Sequence, residues 1–154
     1  MKSLVLQKPG VSFHNDKIIY AGLTVLATFT LTIARFLSPS AKGYGTHQQL
    51  GLPPCIFFNL TGIPCPSCGL TTSFAHAARL HFYQAFLTQP FGLIAFCLTV
   101  SCLPVFAHLI HRQISWREAI QSRGVRTLFY LLLVFYLLSW FYKIIVVKMQ
   151  GLSS

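Results

Sequence analysis

Three cysteines outside the longest apolar runs, Cys55, Cys65 and Cys68, follow a C-x9-C-x2-C spacing. The last two sit in the stretch GIPCPSCGLTTS, residues 62–73. Thiols in this pattern suit three chemistries. The first is soft-metal ligation, because a C-x2-C pair is half of a common zinc arrangement and thiolates also serve iron. A fourth ligand would be needed. His76 lies ~12 Å from Cys68 along a helix, a gap two side chains barely bridge. His47, in the preceding loop, is freer to reach. The candidate metal set is therefore Cys55, Cys65, Cys68 and His47, with zinc or iron as its occupant. Residues 38–89 contain no Asp or Glu, which disfavours calcium and magnesium.

The second chemistry is redox. A C-P-x-C opening a helix would have its thiolate stabilised by backbone N–H groups and the helix dipole, with Cys55 as resolving thiol. The chain lacks the alternating strands and helices of a thioredoxin-type domain. The third is structural: Cys55 paired with Cys65 or Cys68, or three packed thiols, stapling a loop on an oxidising face. All three stay open at this point, and the balance leans away from an enzyme, toward a small membrane protein whose three-Cys loop is structural or organises a ligand, metal or partner surface. Cys97 and Cys102 lie five apart in an apolar run and read as packing residues.

A second set is the stripe Thr72, His76, Arg79 and Tyr83, at steps of four, three and four. Such groups line a pathway when they lie at membrane depth, or form the solvated face of an interfacial helix. With only Asp16 and Glu118 as acids, carboxylate-pair chemistry is excluded. No phosphate-binding glycine loop, H-E-x-x-H or serine elbow is present.

These residues need elements to hold them. Hydrophobic residues make up 54% of the 154 and charged residues 9%, far from the roughly 25% charged of a soluble domain. Three apolar runs reach the ~20 residues that cross a bilayer core: about 18–37, 91–110 and 127–147. Pro90 suits a first helical position, and Pro104 should kink the second span. Trp140, Tyr142 and Lys143 read as an interfacial boundary with a snorkelling lysine. The first run is too long for the core of a cleaved signal peptide. The rest divides into a polar tail at 1–17, a single membrane domain at 18–148 whose Cys-motif loop and helix occupy 52–87, and a tail at 149–154.

From Pro66, apolar residues recur at helical spacing, predicting an amphipathic or re-entrant helix over 66–87, with a break near Leu80–His81. Ser115 and Glu118 have capping-box spacing, predicting a short helix in the loop 111–126. The net charge of +10 reads as membrane flanks, so nucleic acid is not an expected partner. Lys2, Lys8, Lys17 and the loop arginines 112, 117, 123 and 126 share one side; Arg35, Lys42, Arg79, Lys143 and Lys148 share the other. Seven against five places the N-terminus and the 111–126 loop in the cytoplasm and the cysteine motif outward. The fold class is an all-α integral membrane protein with three transmembrane helices plus one amphipathic or re-entrant helix after the CPxC motif. Its partners are the lipid bilayer and, left open, another membrane protein.

The segment from Cys55 to Pro90 resembles the bacterial membrane family called domain of unknown function 2752. The matching residues are Cys55, Thr61, Gly62, Cys65, Pro66, Cys68, Gly69, Thr71, Ala85 and Pro90. The resemblance spans roughly 52–112. It implies a bacterial inner-membrane address and no known reaction. Two positions depart: the family's common arginine is Thr72 here, and its Asn before Pro is Gln89. Arg79, about two turns after Thr72 on one face, is the candidate substitute.

Overall fold

The computed structural model describes residues 13–152. Helix α1 runs Phe13–Phe36, α5 Pro90–His111 and α7 Arg123–Leu152. These are the three helices long and apolar enough to cross a membrane, and at ~1.5 Å per residue each exceeds the ~30 Å hydrocarbon core. The chain is thus an all-helical protein of multi-pass membrane type. Val25, Phe29, Leu131, Val134 and Phe141 are exposed on the spans, which suits a lipid solvent. α1 begins five residues before the hydropathic run, so 13–17 are helical, while 1–12 lie outside the described residues. The C-terminal tail shortens likewise, since α7 continues through Leu152. α5 stays one helix across Pro104.

Between α1 and α5 the chain builds a cap. A 3-10 turn at Thr46–Leu50 precedes α2 (Ile56–Thr61), α3 (Leu70–Ala77) and α4 (Phe82–Thr88). The helix expected from Pro66 starts only at Leu70. Pro66–Gly69 is instead a turn, closed by Cys68 N–H to Cys65 C=O at 2.9 Å and Leu70 N–H to Ser67 C=O at 3.0 Å. Gly69 at φ 92 occupies the left-handed region that ends or precedes a right-handed helix. The expected break near Leu80–His81 is present: α3 and α4 are separate short helices, parted at Leu80, whose φ is 64.

The cap leans into the spans. α3 packs on α1, α4 and α5, and the Phe74 and Phe96 rings meet edge to face at 5.6 Å. Phe96 lies six residues into α5, about 9 Å along its axis, so α3 dips beside the spans and does not lie on top of them. Its close approach is set at Gly92. A Cβ there would come within 2.6 Å of Ser73 Cβ and Oγ. At the other end, Tyr20 of α1 is fully buried; its ring faces Phe106 and Trp116 at 5.8 Å each, and its hydroxyl donates to Ile114 C=O at 3.1 Å. This ties α1 and α5 to α6, the Trp116–Gln121 helix in the connecting loop. Ser115 precedes α6 but its side chain makes no capping bond.

Gly92→Ala should push α3 off α5 and destabilise the protein by about 1–3 kcal/mol, as overpacking does. Thermal unfolding of the detergent-solubilised variant measures it. Gly22→Ala, where a Cβ meets nothing within 4 Å, is the matched control and should leave the midpoint unchanged.

Candidate functional site

The turn Pro64–Gly69 and the residue before α2 bring Cys55, Cys65 and Cys68 together. The Cys65 thiol interacts with those of both Cys55 and Cys68, and its Sγ also lies 3.5 Å from Ser67 Oγ. All five cysteines are free thiols. Cys97 and Cys102 stand apart in α5.

The three environments differ. Cys68 is buried, and burial pushes its thiol up to about 11; negative charge on Cys65 or Cys55 pushes the same way, and the Lys143 ammonium opposes them. Cys55 is half-buried at the N-cap of α2. Backbone amides hold its thiol below the ordinary range, that of Phe58 first, against a smaller opposing effect of burial. It faces these amides without forming a full side-chain cap bond. The helix-terminus stabilisation expected for the C-P-x-C pair thus falls on Cys55, because α3 starts only at Leu70 and both Cys65 and Cys68 lie before its N-cap Gly69.

The turn is clamped from beneath. Gln89, fully buried, donates from Nε2 to Pro66 C=O at 2.9 Å, while its Oε1 has no partner among the described residues. Ser73 Oγ donates to Ala85 C=O at 2.9 Å. From α7, Trp140 Nε1 donates to Pro64 C=O at 2.8 Å and Tyr142 hydroxyl to Leu87 C=O at 3.0 Å. Lys143 donates to Gly43 C=O at 2.9 Å and Thr88 C=O at 3.0 Å. The expectation that Lys143 snorkels is overturned: its side chain is buried, because the cap offers carbonyls closer than water. Its Nζ lies 3.1 Å from where a Cβ on Gly69 would stand, next to Cys68.

His47 lines a cavity of about 190 Å³ with Cys55 and Cys68, and its Nε2 is 3.2 Å from Pro53 C=O. Among the described residues, no group of three or more His, Cys, Asp or Glu side chains stands in a metal-holding arrangement. The polar stripe is divided. Thr72 is fully buried, its hydroxyl 2.8 Å from that of Thr46. Arg79 donates to Ala34 C=O at 3.3 Å and Ala75 C=O at 3.0 Å, closing the ends of α1 and α3. Tyr83 is on α4 and exposed. His76 is half-buried; burial first, then His81 and Arg79, hold its imidazole below the usual range, and its Nδ1 has no partner among the described residues. The left-handed Leu80 breaks the face these four would have shared.

Comparison with protein families matches residues 55–103 to the model described as Protein of unknown function (DUF2752). Over that stretch the chain is similar to the DUF2752 family. No curated protein and no solved structure matches it. The DUF2752 segment holds the three thiols, α2 to α4 and the first two-thirds of α5. Gln89 and Lys143 were missed as site residues. Gln89 drew notice only as a departure from the family's Asn, and Lys143 is the one charged residue in the third apolar run, a signal that polar groups at membrane depth are held for a reason.

Alkylation separates the thiols. At pH 8 a group with a pKa of about 11 is thiolate in about one part in a thousand, so Cys68 should label more than about tenfold more slowly than Cys55. Mass mapping after timed alkylation checks this; equal rates would contradict the burial of Cys68.

Proposed function

We propose that this is a small multi-pass protein of a bacterial inner membrane whose Cys55/Cys65/Cys68 cluster is a reversible dithiol–disulfide centre on the outward face. The observation that carries this reading is the gathering of the three thiols at one turn, where Cys65 interacts with both other thiols and has two alternative partners. The unlike environments of Cys55 and Cys68 support a division of labour. Cys55, whose thiol the α2 amides hold below the ordinary range, attacks one sulfur of a partner's disulfide as its thiolate; the partner's other sulfur leaves as a thiolate and takes up a proton. Cys65, on losing its proton, attacks Cys55 and releases the second partner thiol. Two thiols here are oxidised to a disulfide and one partner disulfide is reduced. Cys68, protonated at neutral pH, is the reserve thiol that can reopen the Cys55–Cys65 bond by forming one with Cys65. The outward orientation rests on the seven-to-five excess of Lys and Arg on the N-terminal side.

A second reading is favoured by one observation: His47 shares a cavity with Cys55 and Cys68. Zinc or iron held by these residues and Cys65 would need His47 to leave Pro53 and the 45–55 loop to close inward.

The test is thiol mapping of the purified protein across a glutathione redox series, with metal analysis of the same sample. A Cys55–Cys65 bond that forms and reopens within the biological range of potentials supports exchange. A bond that resists reduction marks a structural staple, and stoichiometric zinc or iron marks the second reading; either outcome overturns exchange. Impermeant-reagent labelling of Cys55 in intact cells checks the orientation, which fails if labelling requires membrane disruption.

A further inference from the structure

The end of the molecule that holds the thiols carries no acidic side chain. Asp16 lies in the first turn of α1 and Glu118 in α6, both at the opposite end. Arg35, Lys42, Arg79, Lys143 and Lys148 all belong to the thiol end. Arg79 is satisfied by helix-terminal carbonyls, and Arg35, Lys42 and Lys148 are exposed. Lys143 is different: it is buried, and the bonds to Gly43 and Thr88 use two of its three N–H donors. Carbonyl dipoles solvate an ammonium but do not neutralise it. A buried charge without a counter-charge is costly. Among the described residues, the anion-forming group that acts on Lys143 is Cys68, which keeps its proton at neutral pH.

A cavity of about 300 Å³ opens at this lysine. It is lined by Lys42, Lys143, His76, Ser40 and Thr88, with apolar Leu87 and Val146 beside them. His76 contributes a ring whose Nδ1 is unpartnered among the described residues. Two ammonium groups, a hydroxyl pair and an imidazole around one cavity make a site for a compact oxyanion, and phosphate oxygens accept several charge-assisted hydrogen bonds at once. Lys143 lies six residues before Met149, the end of the third membrane-length segment, and with apolar Leu87 and Val146 on the wall the cavity suits the headgroup layer of a bilayer.

We propose that the pocket bounded by Lys42, His76 and Lys143 binds a phosphate-bearing anion, either the headgroup of an anionic phospholipid or free phosphate. The anion supplies the counter-charge that the described residues lack around Lys143. This site is independent of the thiol chemistry and would stand if the cysteines proved purely structural.

The test uses the full chain in nanodiscs. One arm mixes phosphatidylcholine with phosphatidylglycerol and reads retained lipid by native mass spectrometry. The other uses phosphatidylcholine alone and reads the unfolding midpoint in phosphate against chloride at equal ionic strength. Retention of phosphatidylglycerol identifies a lipid, and a rise in midpoint with phosphate alone identifies a free anion. Lys42→Glu, at an exposed position, places a carboxylate at the rim and should weaken either effect by roughly tenfold in affinity, the scale of one charge-assisted hydrogen bond. Lys143→Met should abolish it, and Lys42→Glu keeps the test valid if that buried substitution fails to fold. Neither arm responding, or Lys42→Glu matching the parent, overturns the proposal.

Discussion

The cap depends on one buried ammonium. Lys143 reaches from α7 to the carbonyls of Gly43 and Thr88, two segments 45 residues apart in sequence, and lies over Gly69 at the end of the cysteine turn. Gly69 has to be glycine on two counts: its φ is positive, and a Cβ would come within 2.8 Å of Gly43 O as well as meeting the lysine. Loop 38–45, the turn 64–69, the end of α4 and the third span are fixed against one another through this contact.

Around that point the packing is close and mostly small. Gly92 meets Ser73, Ala75 and Ala77 are buried, and Ser73 is turned onto the carbonyls of Ala85 and Gln89. Small residues at membrane helix contacts let backbones approach, where dispersion and hydrogen bonds replace a hydrophobic drive that lipid does not supply. Polar side chains then satisfy the non-helical backbone of the cap. Gln89 covers Pro66, Trp140 covers Pro64 and Arg79 covers the ends of α1 and α3. Irregular backbone persists beside membrane spans only when protein covers it in this way.

The unlike states of the thiols follow from the same geometry. Cys68 lies under the turn near Lys143 and away from water, so its proton is held. Cys55 lies at the start of α2 with amides facing it, so its proton is released more easily. Neither effect belongs to the C-x2-C spacing as such. The left-handed Gly69 pushes the start of α3 past both motif cysteines, and the helix-terminus stabilisation goes to the cysteine ten residues upstream of the pair.

The sequence alone determined the three spans, because a bilayer core demands long uninterrupted apolar runs and nothing else in 154 residues explains 54% hydrophobic content. It determined the family segment as well, through linked Cys, Gly and Pro positions whose spacing survives without any knowledge of the fold. Pattern reading ran out inside the cap. The break near Leu80 was legible in the periodic run after Pro66, but Gly69 at positive φ turns its first four residues into a non-helical turn that the periodicity did not show. The stripe at Thr72, His76, Arg79 and Tyr83 was legible as a spacing, but that break sends its members to different surroundings. Lys143 was legible as a charge near a span end, where the usual reading is water. Which way it turns is decided by carbonyls on segments far away in the chain, and only the tertiary structure brings Gly43 and Thr88 to it.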